Sequence, residues 1–171
     1  MRRALAVFAG LAAAALLAGC AGRASMFAPK PEPLRISEVA GEGDAARRAS
    51  QRLVLQGLAS DAEGNARLAR RSYERALQVD ANNPFAYLAH ARQAVEAGDG
   101  ASALEYLDQA ELLLAAEEAR SPRVEPHLEG LRGAALQESG DTRRASELLA
   151  HASESAPSVW GDGRLTADEL R

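Results

Sequence analysis

The groups in this chain that could do chemistry are few: one thiol, Cys20, and three imidazoles, His90, His127 and His151. A metal centre needs several convergent ligands. None of the three histidines has a carboxylate or a second histidine at ligand spacing beside it, and each falls in a different helical stretch, so surface histidines are expected. No glycine-rich phosphate loop, nucleophile elbow or Cys/His pair is present. The charge balance is 20 basic against 24 acidic side chains, net −4, which gives no electrostatic case for nucleic acid. The arginine doublets (Arg47-Arg48, Arg70-Arg71, Arg143-Arg144) have acidic residues interspersed and read as solvated helix faces. The sequence therefore points to a protein that is not an enzyme and holds neither metal nor cofactor. Cys20 stands apart because of its place. Arg2 and Arg3 precede an apolar run over residues 4–18, too short to span a bilayer comfortably, and small residues follow. That is the pattern of an export signal.

The last four residues of that signal, Leu17-Ala18-Gly19-Cys20, resemble the bacterial lipobox in every position. The resemblance implies cleavage before Cys20, a diacylglyceryl group on its sulfur and a further acyl chain on the new amino terminus. Two or more chains hold a protein stably on a membrane. Ala21, where Asp would signal inner-membrane retention, implies the periplasmic face of the outer membrane. Loss of residues 1–19 takes away Arg2 and Arg3, so the mature charge is 18 − 24 = −6. Residues 20–44 read as the lipidated cysteine and a spacer, in which Pro29, Pro31 and Pro33 alternate with Lys30 and Glu32 before Gly41 and Gly43. Such a chain spans roughly 25–30 Å root-mean-square. Leu34, Ile36 and Val39 could dock on the folded part, but a solvated linker is the expectation.

The elements between these ends are helices. Hydrophobic residues make up 47% of the chain and aromatics only 4%, so the apolar mass is Ala and Leu, both strong helix formers. A Gly-polar turn recurs as Gly64-Asn65, Gly98-Asp99 and Gly140-Asp141, where Gly closes one helix and Asn or Asp caps the next. Pairs of small residues straddle each turn: Gly57 with Ala69, Ala91 with Ala103, Gly133 with Ala145. A large residue follows at Tyr73, Leu107 and Leu149, and an Ala at Ala76, Ala110 and Ala152. The first two units are 34 residues apart and the next two 42. A self-similar period of this size is the mark of stacked hairpins, which need about three copies to bury a continuous core.

These residues resemble the tetratricopeptide repeat family over roughly two thirds of the chain. Repeat one (residues 50–83) carries Leu53, Gly57, Ala69, Tyr73 and Ala76; repeat two (84–117) carries Tyr87, Ala91, Ala103, Leu107 and Ala110; repeat three (126–159) carries Gly133, Leu136, Ala145, Leu149, Ala152 and Pro157. Glu129 replaces the usual large residue of the third unit. The fold expected is all-α, a tetratricopeptide-like stack of three helical hairpins, a short α-solenoid over residues 45–159. The eight extra residues between Glu118 and Glu125 are expected to extend the second helix of repeat two, by about 12 Å. Either Pro122 or Pro126 could start the next helix. Gly130 belongs to no small-residue pair and marks a loosened helix.

The tail, residues 160–171, includes Asp162 to Glu169, which resemble the second half of an EF-hand loop. Ser158 and Trp160 stand where two further ligands belong, and calcium needs six or more oxygens. The tail reads instead as a turn and a short helix with a capping box between Thr166 and Glu169, Trp160 covering the last helix of the stack. The family resemblance implies a concave face that grips a peptide or helix of another protein, lined by Gln51, Val54, Leu58, Phe85, Leu88, Arg92, Val95 and His127. Phe85, Leu88 and Arg92 are its strongest anchors, because aromatics and Arg dominate binding hot spots. The function implied is a non-catalytic, membrane-anchored scaffold binding envelope proteins. The same layout fits an assembly lipoprotein of pilotin or tight-adherence pilus type.

Overall fold

The computed structural model describes residues 30–117 and 121–171. Cys20, the lipobox and Ala21 lie outside them. The described chain forms α1 (Ile36–Val39), α2 (Ala45–Ala62), α3 (Ala66–Val79), α4 (Pro84–Glu96), α5 (Gly100–Ala116), α6 (Glu125–Glu138), α7 (Thr142–Ser155), α8 (Pro157–Trp160) and α9 (Ala167–Leu170). Among the described residues there is no strand. Helices α2 and α3, α4 and α5, and α6 and α7 pair as hairpins, and the first helices α2, α4 and α6 also meet one another. The architecture is the expected all-α stack of three helical hairpins.

The turns form for the expected reason. Gly64, Gly98 and Gly140 have φ of +79°, +74° and +87°, a conformation that favours Gly because it has no Cβ. Asp99 and Asp141 then accept hydrogen bonds from the Ser102 and Arg144 amides. Asn65 makes no such side-chain cap; the α3 terminus is held through its backbone carbonyl, which accepts from Leu68 and Ala69. A buried polar chain ties the first two hairpins together. Ser50 Oγ donates to the Ala76 carbonyl at 2.8 Å, Asn83 Nδ2 donates to Ser50 Oγ at 2.8 Å, and Asn83 Oδ1 caps α4 at the Phe85 amide.

The small residues lie where helices approach closely. Ala69, Ala91 and Ala103 have no exposed surface. A Cβ on Gly57 would overlap the Tyr73 ring, and one on Gly133 would sit 2.9 Å from the Leu149 side chain and 3.2 Å from the Ala145 carbonyl oxygen. Gly130 is part of the same scheme, not a loosened position: a Cβ there would run into the indole of Trp160. Trp160 is fully buried, so it seats on α6, the first helix of the last hairpin. The outer face of α7 stays exposed from Arg143 to Glu154, apart from partly or fully buried positions on its inner side. At Glu129 a polar contact replaces apolar packing, its carboxylate lying 2.6 Å from His151 Nδ1.

Two expectations about the connections change. Helix α5 ends at Ala116, and residues 121–124 form a turn closed by Val124 and Glu125 amides on the Ser121 carbonyl, so this described part of the insertion does not lengthen the helix. Pro126 stands in the first turn of α6, where a missing N–H costs nothing. The spacer is not wholly a solvated linker either. Ile36 has no exposed surface and Leu34 and Val39 pack beside the core. The main core runs from Ile36 to Leu170, and residues 31–171 make one compact unit; this unit closes its own core.

Gly130→Ala should lower stability even though Ala is the better helix former by about 0.8–1 kcal/mol. Forcing a rigid indole aside costs about 1–3 kcal/mol. Urea denaturation should show a lower midpoint with an unchanged slope; a gain in stability would refute the seating of Trp160.

Candidate functional site

The eight sequence-selected residues fall on the first helices of the three hairpins, α2, α4 and α6. Two segments of the same chain lie across them. The tail brings Leu165, Ala167 and Leu170 into the core, with α9 against α2. The strap of residues 31–39 follows the tail: the Ser37 amide donates to the Arg171 carbonyl at 2.9 Å, and Arg35 Nη1 donates to the Asp168 carbonyl at 3.1 Å. At its other end the Leu34 amide donates to the Arg123 carbonyl, and His127 Nε2 donates to the Leu34 carbonyl at 2.9 Å. Arg123 in turn binds the Glu32 carbonyl and the Glu38 carboxylate. The tail turn is held by Asp162 Oδ1 on the Arg164 amide, and the Thr166–Glu169 capping box is present.

The consequence for the selected residues is sharp. Gln51, Val54, Leu58, Phe85, Leu88 and His127 are buried and do not line the four clefts of about 430–650 Å³ among the described residues. Of the eight, Arg92, itself only 4% exposed, and the half-buried Val95 are the two that reach a cleft. They border a cleft of about 580 Å³ whose floor includes Leu131 and Ala134 and whose wall is Trp160, Arg164 and Leu165. A second cleft of about 650 Å³ lies on the other flank of Arg164 and Leu165, beside Asp61, Arg92 and Asp168. Open space thus remains on both flanks of the tail, one cleft toward α4 and α6 and one toward the end of α2.

Arg92 is not a free anchor. Its guanidinium forms an ion pair with Asp61 in which the side chains are 4% and 7% exposed, and a second with Glu96 Oε2 at 3.0 Å. Tyr73 Oη donates to the same Asp61 oxygen at 3.3 Å. Burial, then the Asp61 charge, pushes the Tyr73 phenol well above its usual range. Arg92 Nε has no hydrogen-bond partner among the described residues. A buried pair of this kind is costly to break, because the surviving charge is left without its partner.

Two histidines expected at the surface are inside. His90 is 6% exposed, stacked on Tyr106 with ring centroids 4.9 Å apart and met edge-on by Tyr73 at 5.4 Å. It links α3, α4 and α5. Burial, with Arg70 nearby, lowers its pKa to about 4, so it is neutral at pH 7. His127 is also lowered by burial, against the Leu34 carbonyl and Glu169, which favour its charged form. His151 is exposed, as expected. The doublet residue Arg47 is likewise more than a solvated charge. It bridges Asp80 and Glu117, and those partners raise its pKa, Glu117 contributing most.

No family model, curated protein or solved structure matches this chain.

Arg92→Ala and Asp61→Ala should each destabilise by about 3–5 kcal/mol, and the double variant by clearly less than the sum. Additive losses in a double-mutant cycle would show that the pair is not coupled. His90 makes stability pH-dependent. Its folded pKa of about 4 lies below the ordinary histidine value of 6.5, so the unfolded chain takes up the proton first. The contribution is complete above about pH 6.5 and is lost toward pH 4, by up to about 3 kcal/mol. His90→Phe should flatten that part of the stability-against-pH curve; an unchanged slope would place the pH dependence elsewhere.

Proposed function

We propose that this protein is a lipid-anchored, non-catalytic interaction module of the bacterial cell envelope, which takes a segment of another protein into a cleft beside its tail. The observation that carries the reading is the cleft of about 580 Å³ between α4, α6 and the tail. It combines apolar side chains (Val95, Leu131, Ala134, Leu165) with charged ones at its edge (Glu96, Glu138, Arg164). That mixture suits an amphipathic helix or short peptide better than a small polar substrate. The hairpin stack and the tetratricopeptide-like residue pattern support a binding role, and the lipobox resemblance at Cys20 supports the anchor and the periplasmic face of an outer membrane. The partner meets the cleft floor at Val95 and Ala134, while the tail fixes one wall.

The experiment has two readouts. Cys20→Ser should move the chain from the membrane to the soluble fraction and abolish acyl labelling. A photo-crosslinking residue at Ala134 should trap one discrete partner, which Val95→Glu in the same chain should eliminate, while a crosslinker at exposed Ala150 should trap none. Equal trapping at both positions would overturn the cleft as the binding site. Retention of the Cys20→Ser chain on membranes would overturn the anchor.

A further inference from the structure

The described arginines away from α3 are largely committed: Arg47, Arg92, Arg132 and Arg143, for example, hold carboxylates, and Arg48 holds a backbone carbonyl. The described arginines with neither kind of partner are Arg52 on α2 and Arg67, Arg70, Arg71 and Arg75 on α3, all exposed. The charge of Arg70 is felt by Asp99 and His90, without an ion pair. Helix α3 carries these four arginines against Glu74 alone, 4 − 1 = +3, on a chain whose net charge is −4. Interspersed acids, which suffice elsewhere, therefore fail here.

The same helix exposes apolar surface. Leu68 and Val79 are 48% and 43% exposed. Leu68, Arg71, Arg75 and Val79 follow one another at spacings of three, four and four residues, which aligns them along one line of a helix. Aliphatic ends with guanidiniums between them match the boundary between lipid headgroups and acyl chains, where a basic amphipathic face settles.

We propose that the outer face of α3 docks on an anionic phospholipid surface. The tether favours a bilayer over an acidic protein. Because residues 31–39 are docked, only nine residues lie between Cys20 and Lys30, and the ten steps from one to the other span at most about 36 Å at full extension. This step rests on the anchor at Cys20 in the reading above, since a lipidated chain so short keeps the domain within reach of headgroups. Anionic lipid attracts each basic residue near it and the attraction is screened by salt.

The test uses residues 31–171, which close their own core and lack both Cys20 and the leader. This unit should sediment with phosphatidylglycerol vesicles and not with phosphatidylcholine vesicles, and should be released by added salt. The variant Arg67→Gln/Arg70→Gln/Arg71→Gln/Arg75→Gln should bind at least roughly tenfold more weakly. Its thermal unfolding should be unchanged, because Gln is as good a helix former as Arg. Equal binding to both vesicles, no binding to either, or undiminished binding by the variant would each overturn the proposal. Binding to polyglutamate without binding to vesicles would assign the face to an acidic polypeptide and overturn it too. Acyl labelling of Cys20 in the full chain reads the anchor separately, so failure of the one is distinguishable from failure of the other.

Discussion

The constraint on which this structure depends is the close approach of helices at positions that carry no side chain beyond Cβ. Tyr73 lies against Gly57, Trp160 against Gly130, and the Ala135 carbonyl and Ser139 against Gly100. At Gly57 and Gly130, inside their helices, the contact trades helix propensity, about 0.8–1 kcal/mol per interior glycine, for an interlocked surface that a larger residue would hold apart. The seat at Gly130 matters beyond its own packing. It seats Trp160, and the tail that follows Trp160 puts Leu165, Ala167 and Leu170 into the core and walls the clefts on either side of Arg164.

The polar interior follows the same division of labour. A stack made mostly of Ala and Leu packs well but specifies register weakly, since small apolar surfaces resemble one another. The Ser50–Asn83 chain, the Arg92–Asp61–Tyr73 cluster and the Tyr73–His90–Tyr106 stack each join neighbouring hairpins at one place only. A buried charged pair does little for net stability against an apolar replacement. Its value here is positional: a slip of one residue between α2 and α4 would part the buried Asp61 from its cation and leave Arg92 with Glu96 alone.

What could be read in the sequence was whatever repeats at short range. The Gly-polar turns and small-residue pairs fix three hairpins because each contact lies within one unit and recurs in register. The filled groove left no such trace. Ile36, Trp160 and Leu170 reach their seats from outside the repeats, and the Arg35–Asp168 hydrogen bond that joins strap to tail spans 133 residues. Gly130 held the one available clue, since a glycine inside a helix but outside the repeated pairs implies something large lying against it. Arg92 was visible as a charge on a first helix, but the identity of its partner, Asp61 at the end of another helix, was not. His90 gave no signal of burial, because an imidazole between two tyrosines contributed by α3 and α5 is apparent only once those helices are placed.

The strap and tail also change the kind of object the stack is. A linear array of hairpins contacts only its nearest neighbours, so its stability is a sum over units and their interfaces and its ends fray first. Here the chain before the first hairpin binds Arg123 and His127 at the third, and the chain after the third hairpin packs α9 on the first. The Ser37–Arg171 and Arg35–Asp168 hydrogen bonds then join those two segments to each other. Opening either end exposes core residues that belong to the opposite end, Ile36 and Leu170 among them. Ends that would fray independently become one closure. The cleft between α4, α6 and the tail is thereby bounded by elements that can be lost only together.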